Sequence, residues 1–198
     1  KYLIRTIMNS RTYQLSSQTN DFNTDDNKYF SHAVTKLHSA ETLLDAICFV
    51  TAVPEKFAGF PLGTRAVQLP DGEINHPFLK TFGQPGRELP CECEREGDSN
   101  LAQALQLING PTVNEKMRNP SNRIGQLLGK KLSEQDTIND LYLTTLSRLP
   151  APEEVKAVQE HLAKSTEQAK PGGEDLRRKA WEDVLWALIN SKEFLFRH

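Results

Sequence analysis

The sequence has no apolar run approaching the ~20 residues that a membrane-spanning helix needs. Its richest stretch, Leu43 to Val53, is broken by Asp45 and Thr51, so no membrane span is expected. An excess of charge of one sign is also missing. The 24 basic and 26 acidic residues leave a formal net charge of −2, without the cationic surplus that neutralises phosphates or anionic lipid, and nucleic acid is not an expected partner. With three cysteines, any thiol chemistry rests on Cys48, Cys91 and Cys93. The common enzyme signatures are absent as well. No serine or cysteine sits in a nucleophile-elbow glycine context, and there is no glycine-rich phosphate loop, dinucleotide fingerprint or paired-histidine zinc motif.

What is present suffices for a folded chain. Of 198 residues, 37% are hydrophobic and 25% charged, outside the low-hydrophobicity, high-charge regime of disorder. A chain of this length buries roughly 70% of its unfolded surface in one domain. Lys1 to Met8 places Leu3 with Ile7 and Ile4 with Met8 at helical spacing, without the apolar core and cleavage site of a signal peptide. This start reads as a helix entered partway, and a fragment of a longer chain is expected.

Arg11 to Asn27 is rich in Ser, Thr, Gln, Asn and Asp, side chains that compete for backbone hydrogen bonds, and predicts a connector. Ser39 then predicts an N-cap for a helix with Leu43, Leu44, Ile47 and Val50 on one face, ending before Pro54. From Pro54 to Asn100 prolines and glycines interleave, which predicts an irregular lobe. Within it, Arg65 to Leu69 is expected as a short strand and Pro77 to Phe82 as a helical turn.

Helices are expected again after Asn100. Leu101, Ala104, Leu105 and Ile108 form one stripe that stops at Asn109-Gly110, and Pro111 restarts the chain. Short helices are expected over Thr112–Arg118 and Ile124–Leu128. Three longer ones follow: Glu134–Ser147 behind a Ser133/Asp136 capping box, one opening near Pro152 with Val155, Val158 and Leu162 inward, and one carrying Leu176, Ala180, Trp181, Val184, Leu185, Leu188 and Ile189. Their short connections predict antiparallel neighbours in a small bundle.

The densest chemistry is Cys91-Glu92-Cys93-Glu94-Arg95, with Arg87 just before it. Two thiols and two carboxylates in a loop could hold a soft metal or exchange electrons, although structural zinc sites leave two to four residues between paired cysteines and this pair is one apart. Three readings stand: structural thiols or a disulfide with Cys48, contact with a metal or cofactor, and a catalytic thiol. Among the histidines, His161 falls on the polar side of its helix, whereas His32 and His76 lie in irregular segments and stay open as binding candidates. The acidic run Glu92, Glu94, Glu96 and Asp98 lacks EF-hand spacing and reads as a solvated loop. Carbohydrate binding is a further option, resting on Tyr29, Phe57, Phe60 and Phe78 as exposed aromatics.

Four stretches together resemble a known family: Ile4 to Ser17, Cys91 to Arg95, Leu101 to Gly110, and Leu188 to His198. They are similar to the C-terminal domain of unknown function of planctomycete-specific-domain proteins, large proteins that often carry a cytochrome-c-like domain. The resemblance implies a cell-envelope or exported multidomain bacterial protein whose haem, if any, is bound upstream. The Cys-x-x-Cys-His haem attachment pattern does not occur in this chain.

The expectation is a mainly α fold with little β structure, built as a C-terminal helical bundle and a central irregular Pro/Gly-rich lobe that lies over the helices at 40–52 and 101–109. Within a single domain fragment over 1–198, residues 1–53 carry N-terminal helices and the connector, 54–100 the lobe, and 101–198 the helical part. The expected function is a non-catalytic accessory or interaction domain whose partners are upstream domains or another envelope protein. The alternative is part of a metal-dependent or redox site built around Cys91 and Cys93, with Cys48, Arg87, Glu92, Glu94, Arg95 and His76 as further candidates.

Overall fold

The computed structural model describes residues 1–26, 28–70, 74–84, 101–167 and 174–197. The fold is mainly α with a single two-stranded pair among those residues. By its internal contacts the chain divides into two units, Lys1–His38 with Phe196–His198, and Ser39–Leu195.

The first unit contains α1 (Tyr2–Met8), a series of turns, and β1 (Lys36–Leu37) paired antiparallel with β2 (Phe196–Arg197). The polar composition of residues 11–27 produces turns closed by side chains. The Asp26 carboxylate accepts the amides of Lys28, Tyr29 and Ser31 at 3.0, 2.7 and 3.1 Å. Hydrogen bonds from Ser31, Tyr29 and Lys28 hold its carboxyl well below the usual carboxylate range. None of the described residues of this unit is buried.

The second unit is organised around α2 (Ala40–Thr51). Ser39 caps it by accepting the Thr42 amide, and Leu43, Leu44, Ile47 and Val50 are buried along one face. Each such side chain contributes roughly 1.5–3 kcal/mol on burial. Ala52 ends the helix in the left-handed region at φ 57°, ahead of Pro54. The chain then passes through a 3-10 turn at Ala66–Gln68 and α3 (Pro77–Thr81), both of which pack on α2.

The expected strand at Arg65–Leu69 is thus a 3-10 turn. Its backbone donors are taken by side chains, with Asp45 accepting the Ala66 and Val67 amides at 2.6 and 3.2 Å and Gln68 accepting the Arg65 amide at 2.9 Å. No ladder partner is needed once those groups are satisfied.

The remaining helices are α4 (Leu101–Asn109), α5 (Pro111–Arg118), α6 (Arg123–Gly129), α7 (Glu134–Leu146), α8 (Pro152–Glu167), α9 (Glu174–Ile189) and α10 (Lys192–Leu195). Pro111 and Pro152 occupy first-turn positions, where the missing amide costs nothing. Ser133 caps α7 by accepting the Asp136 amide at 3.1 Å and donating to its carboxylate at 2.6 Å.

Helix α9 is the hub, packing against α5, α6, α7, α8 and α10. Trp181, Leu185 and Ile189 of α9 are buried, as are Ile138 and Leu141 of α7, on which it packs. Leu176, expected on the same stripe, is 38% exposed. The turn before α6 is held by Asn122, which is fully buried. Its amide donates to Met117 O at 2.6 Å, its carbonyl accepts the Gly125 amide at 2.9 Å, and Arg178 of α9 reaches the same carbonyl at 3.3 Å.

Candidate functional site

The C-terminal end of α2 and the residues after it are met by cations from two other helices, α5 and α6. Helix ends leave carbonyls without intrahelical partners, and here cations supply them. Arg123 Nε donates to Val50 O at 2.8 Å and Nη2 to Phe49 O at 3.3 Å, while Nη1 reaches Asp140 at 3.2 Å. Lys116 donates to Val53 O at 3.1 Å and lies 3.1 Å from Glu55 Oε2. His76 Nε2 stands 3.8 Å from the same oxygen, and its ring packs against Phe57.

Burial pushes the Glu55 carboxyl up, but the facing His76 imidazole and Lys116 ammonium outweigh it and bring it down to about 2. Cys48 lies beside the same pair. Its thiol is pushed up by burial, against the pull of the Lys116 charge, and the residue is a free cysteine.

Cys48 and His76, singled out from sequence, therefore converge on the Glu55–Lys116 pair. Arg87, Cys91, Glu92, Cys93, Glu94 and Arg95 lie outside the described residues. Glu55 and Lys116 were missed because nothing local distinguishes them; the ion pair spans the distance from the loop after α2 to α5. Among the described residues, no group of three or more His, Cys, Asp or Glu side chains is arranged to hold a metal ion.

Next to this cluster is an open groove of about 740 Å³ between α2 and residues 63–67. Cys48, Phe49, Glu55, Arg65, Val67 and Arg123 are among its lining residues. Its rim charges are paired, Arg65 with Asp45 at 3.6 Å and Arg123 with Asp140. The chemistry on offer is that of a structural ion-pair network, in which Glu55 is held ionised by His76 and Lys116.

Two further expectations are corrected. Phe57 and Phe78, offered as exposed sugar-binding aromatics, are 2% and 0% exposed. Phe57 faces His76 and Phe78 stacks on Phe82 with ring centroids 4.4 Å apart, so both are core. Helix α4 is turned the other way from its hydrophobic pattern. Leu101, Leu105 and Ile108 are 75%, 52% and 44% exposed, and Ala104 is exposed with them. The helix docks instead through Leu107 and Gln103, each 5% exposed, with the Gln103 amide donating to Thr81 O at 3.2 Å.

The fold and these surfaces define a mainly helical domain with an internal ion-pair network and an outward-facing apolar helix stripe. The chain belongs to the PSD1 family, protein of unknown function (DUF1553), whose family model matches residues 1–162. No curated protein and no solved structure matches it.

Proposed function

We propose that this chain is a non-catalytic interaction domain that docks an apolar helix of a neighbouring domain of the same larger protein onto α4. The observation that carries this reading is the outward stripe of Leu101, Ala104, Leu105 and Ile108. Its spacing is that of anchors in helix-on-helix recognition. Helix α4 has no charged residue, so a partner face of aliphatic side chains meets no uncompensated charge on it. The charged groups near the groove give further support, because Arg65, Lys116 and Arg123 are already engaged in internal pairs.

By the family resemblance, the setting is an exported or cell-envelope protein of planctomycete type, with any haem held in an upstream domain. Hydrogen exchange tests the proposal by comparing the isolated chain with the whole protein. Amides of α4 should slow in the whole protein and revert with Leu105→Asp/Ile108→Asp. Equal exchange in both contexts would remove the reading.

The rival, a metal-dependent or redox site at Cys91 and Cys93, rests on sequence alone. Metal content and free-thiol counts before and after reduction address it, and a Cys93→Ser chain unchanged in both would dispose of it.

A further inference from the structure

The first unit carries a second unpartnered apolar surface, distinct in chemistry from the uncharged α4 stripe. At 100° per residue, Leu3, Ile7, Ile4 and Met8 occupy one arc of α1 about 140° wide. They are 69%, 49%, 62% and 51% exposed, so the whole arc faces outward. Lys1 and Arg5 follow one edge of that arc, and Tyr2, 84% exposed, lies on the polar side.

The surrounding charge has one sign. Residues 1–20 contain Lys1, Arg5 and Arg11 and no Asp or Glu; the first acid is Asp21. The near-zero net charge of the chain conceals this segregation. The acids of the unit, Asp21, Asp25 and Asp26, are grouped on the turn at 21–26, where Asp26 is held by the amides of residues 28, 29 and 31.

We infer that α1 and its cationic flank form a peripheral docking surface for an anionic lipid bilayer, with the helix lying in the interface plane. A wide aliphatic arc bordered by Lys and Arg is the pattern of an interfacial helix. The fluid acyl boundary fits a convex helix without a preformed groove. The long stems of Lys1 and Arg5 let their cations stay at headgroup level while the arc is immersed. Attachment of this kind needs no membrane span, and none is present among the described helices.

Flotation of the full 198-residue chain with vesicles tests this. The chain should bind phosphatidylcholine vesicles containing about a quarter phosphatidylglycerol and bind pure phosphatidylcholine far more weakly. Arg5→Gln and Arg11→Gln should each weaken anionic binding about fivefold, and about 0.5 M NaCl should act in the same direction. Ile4→Asp/Ile7→Asp should reduce it by roughly tenfold or more. These positions are exposed, so thermal unfolding of the variants should match that of the parent.

As a second readout, amides of residues 4–8 should gain exchange protection on anionic vesicles. Absence of anionic binding, or binding indifferent to both sets of substitutions, would overturn the inference. So would self-association in sedimentation that Ile4→Asp/Ile7→Asp abolishes while vesicles remain unbound, since the arc would then join copies of the chain.

Discussion

Lys116 and Glu55 form an ion pair between α5 and the loop after α2, 3.1 Å apart, with the lysine side chain 5% exposed. Glu55 has a folded value of about 2 against an ordinary 4.5. Its stabilising contribution is therefore complete above the ordinary value and is lost as pH falls through the folded one. Unfolding followed from pH 6 to pH 2 should show a loss of about 3 kcal/mol from this group, absent in Glu55→Gln. At neutral pH, Glu55→Gln should itself cost about 3 kcal/mol, because it leaves a buried ammonium without its counter-charge. A flat difference between the two chains across that range would refute the assignment.

The turn before α6 should tolerate little change. Asn122→Ala removes the α6 cap and the bond to Met117 O from a fully buried site, with an expected cost of about 2 kcal/mol. At Gly125 an added Cβ would lie 2.1 Å from Pro120 O. Gly125→Ala should therefore destabilise at least as much as the lost cap, measured by urea unfolding. A neutral Gly125→Ala would mean that the turn can open.

Arg148 joins α8 to α10 by bonding both carboxylates at once, with Glu154 at 2.7 and 2.8 Å and Glu193 at 2.7 and 2.8 Å. These bonds raise the guanidinium further above its ordinary value and lower Glu154. Lysine cannot match this fork geometry. Arg148→Lys should cost about 1 kcal/mol, on the low side because the side chain is 38% exposed. The loss should shrink in high salt, and a salt-independent loss would point instead to the Tyr142 ring, whose centroid lies 5.6 Å from the guanidinium carbon.

Helix α4 offers a contrast between neighbours. Leu107→Ala should cost about 2–4 kcal/mol, whereas Leu105→Glu, two residues away, should stay within about 0.5 kcal/mol. Denaturant midpoints decide this directly. A large loss from Leu105→Glu would place that side chain in the core.

Much of the helical order was legible because its signals are local. Ser39 and Ser133 bond to the amides of the third residue on, and Pro111 and Pro152 open α5 and α8 as their missing amides allow. The face that a helix presents is not a local property. Periodicity marks a stripe on α4 but not the way it faces: Gln103 finds a carbonyl on α3 and Leu107 a buried site, and these contacts lie beyond any window of sequence.

Gly110 shows the same limit at finer scale. It follows the helix as expected, but with φ −64°, so left-handed freedom is not its purpose. An added Cβ would lie 2.1 Å from Gln106 O, and close approach is the requirement. Glu55 and Lys116 were illegible for a similar reason. Each looks like a surface charge until α5 is laid against the end of α2.

The place of α9 at the centre of the helical unit separates two boundaries. The family match stops at residue 162, but Trp181, Leu185 and Ile189 beyond it fill the interior, and Arg178 donates to Asn119 O at 2.9 Å. A polypeptide released after Leu162 would expose the apolar faces of α6 and α7 and leave the turn before α6 without its cation. The stretch by which relatives are recognised is therefore shorter than the stretch that must be synthesised before folding can finish.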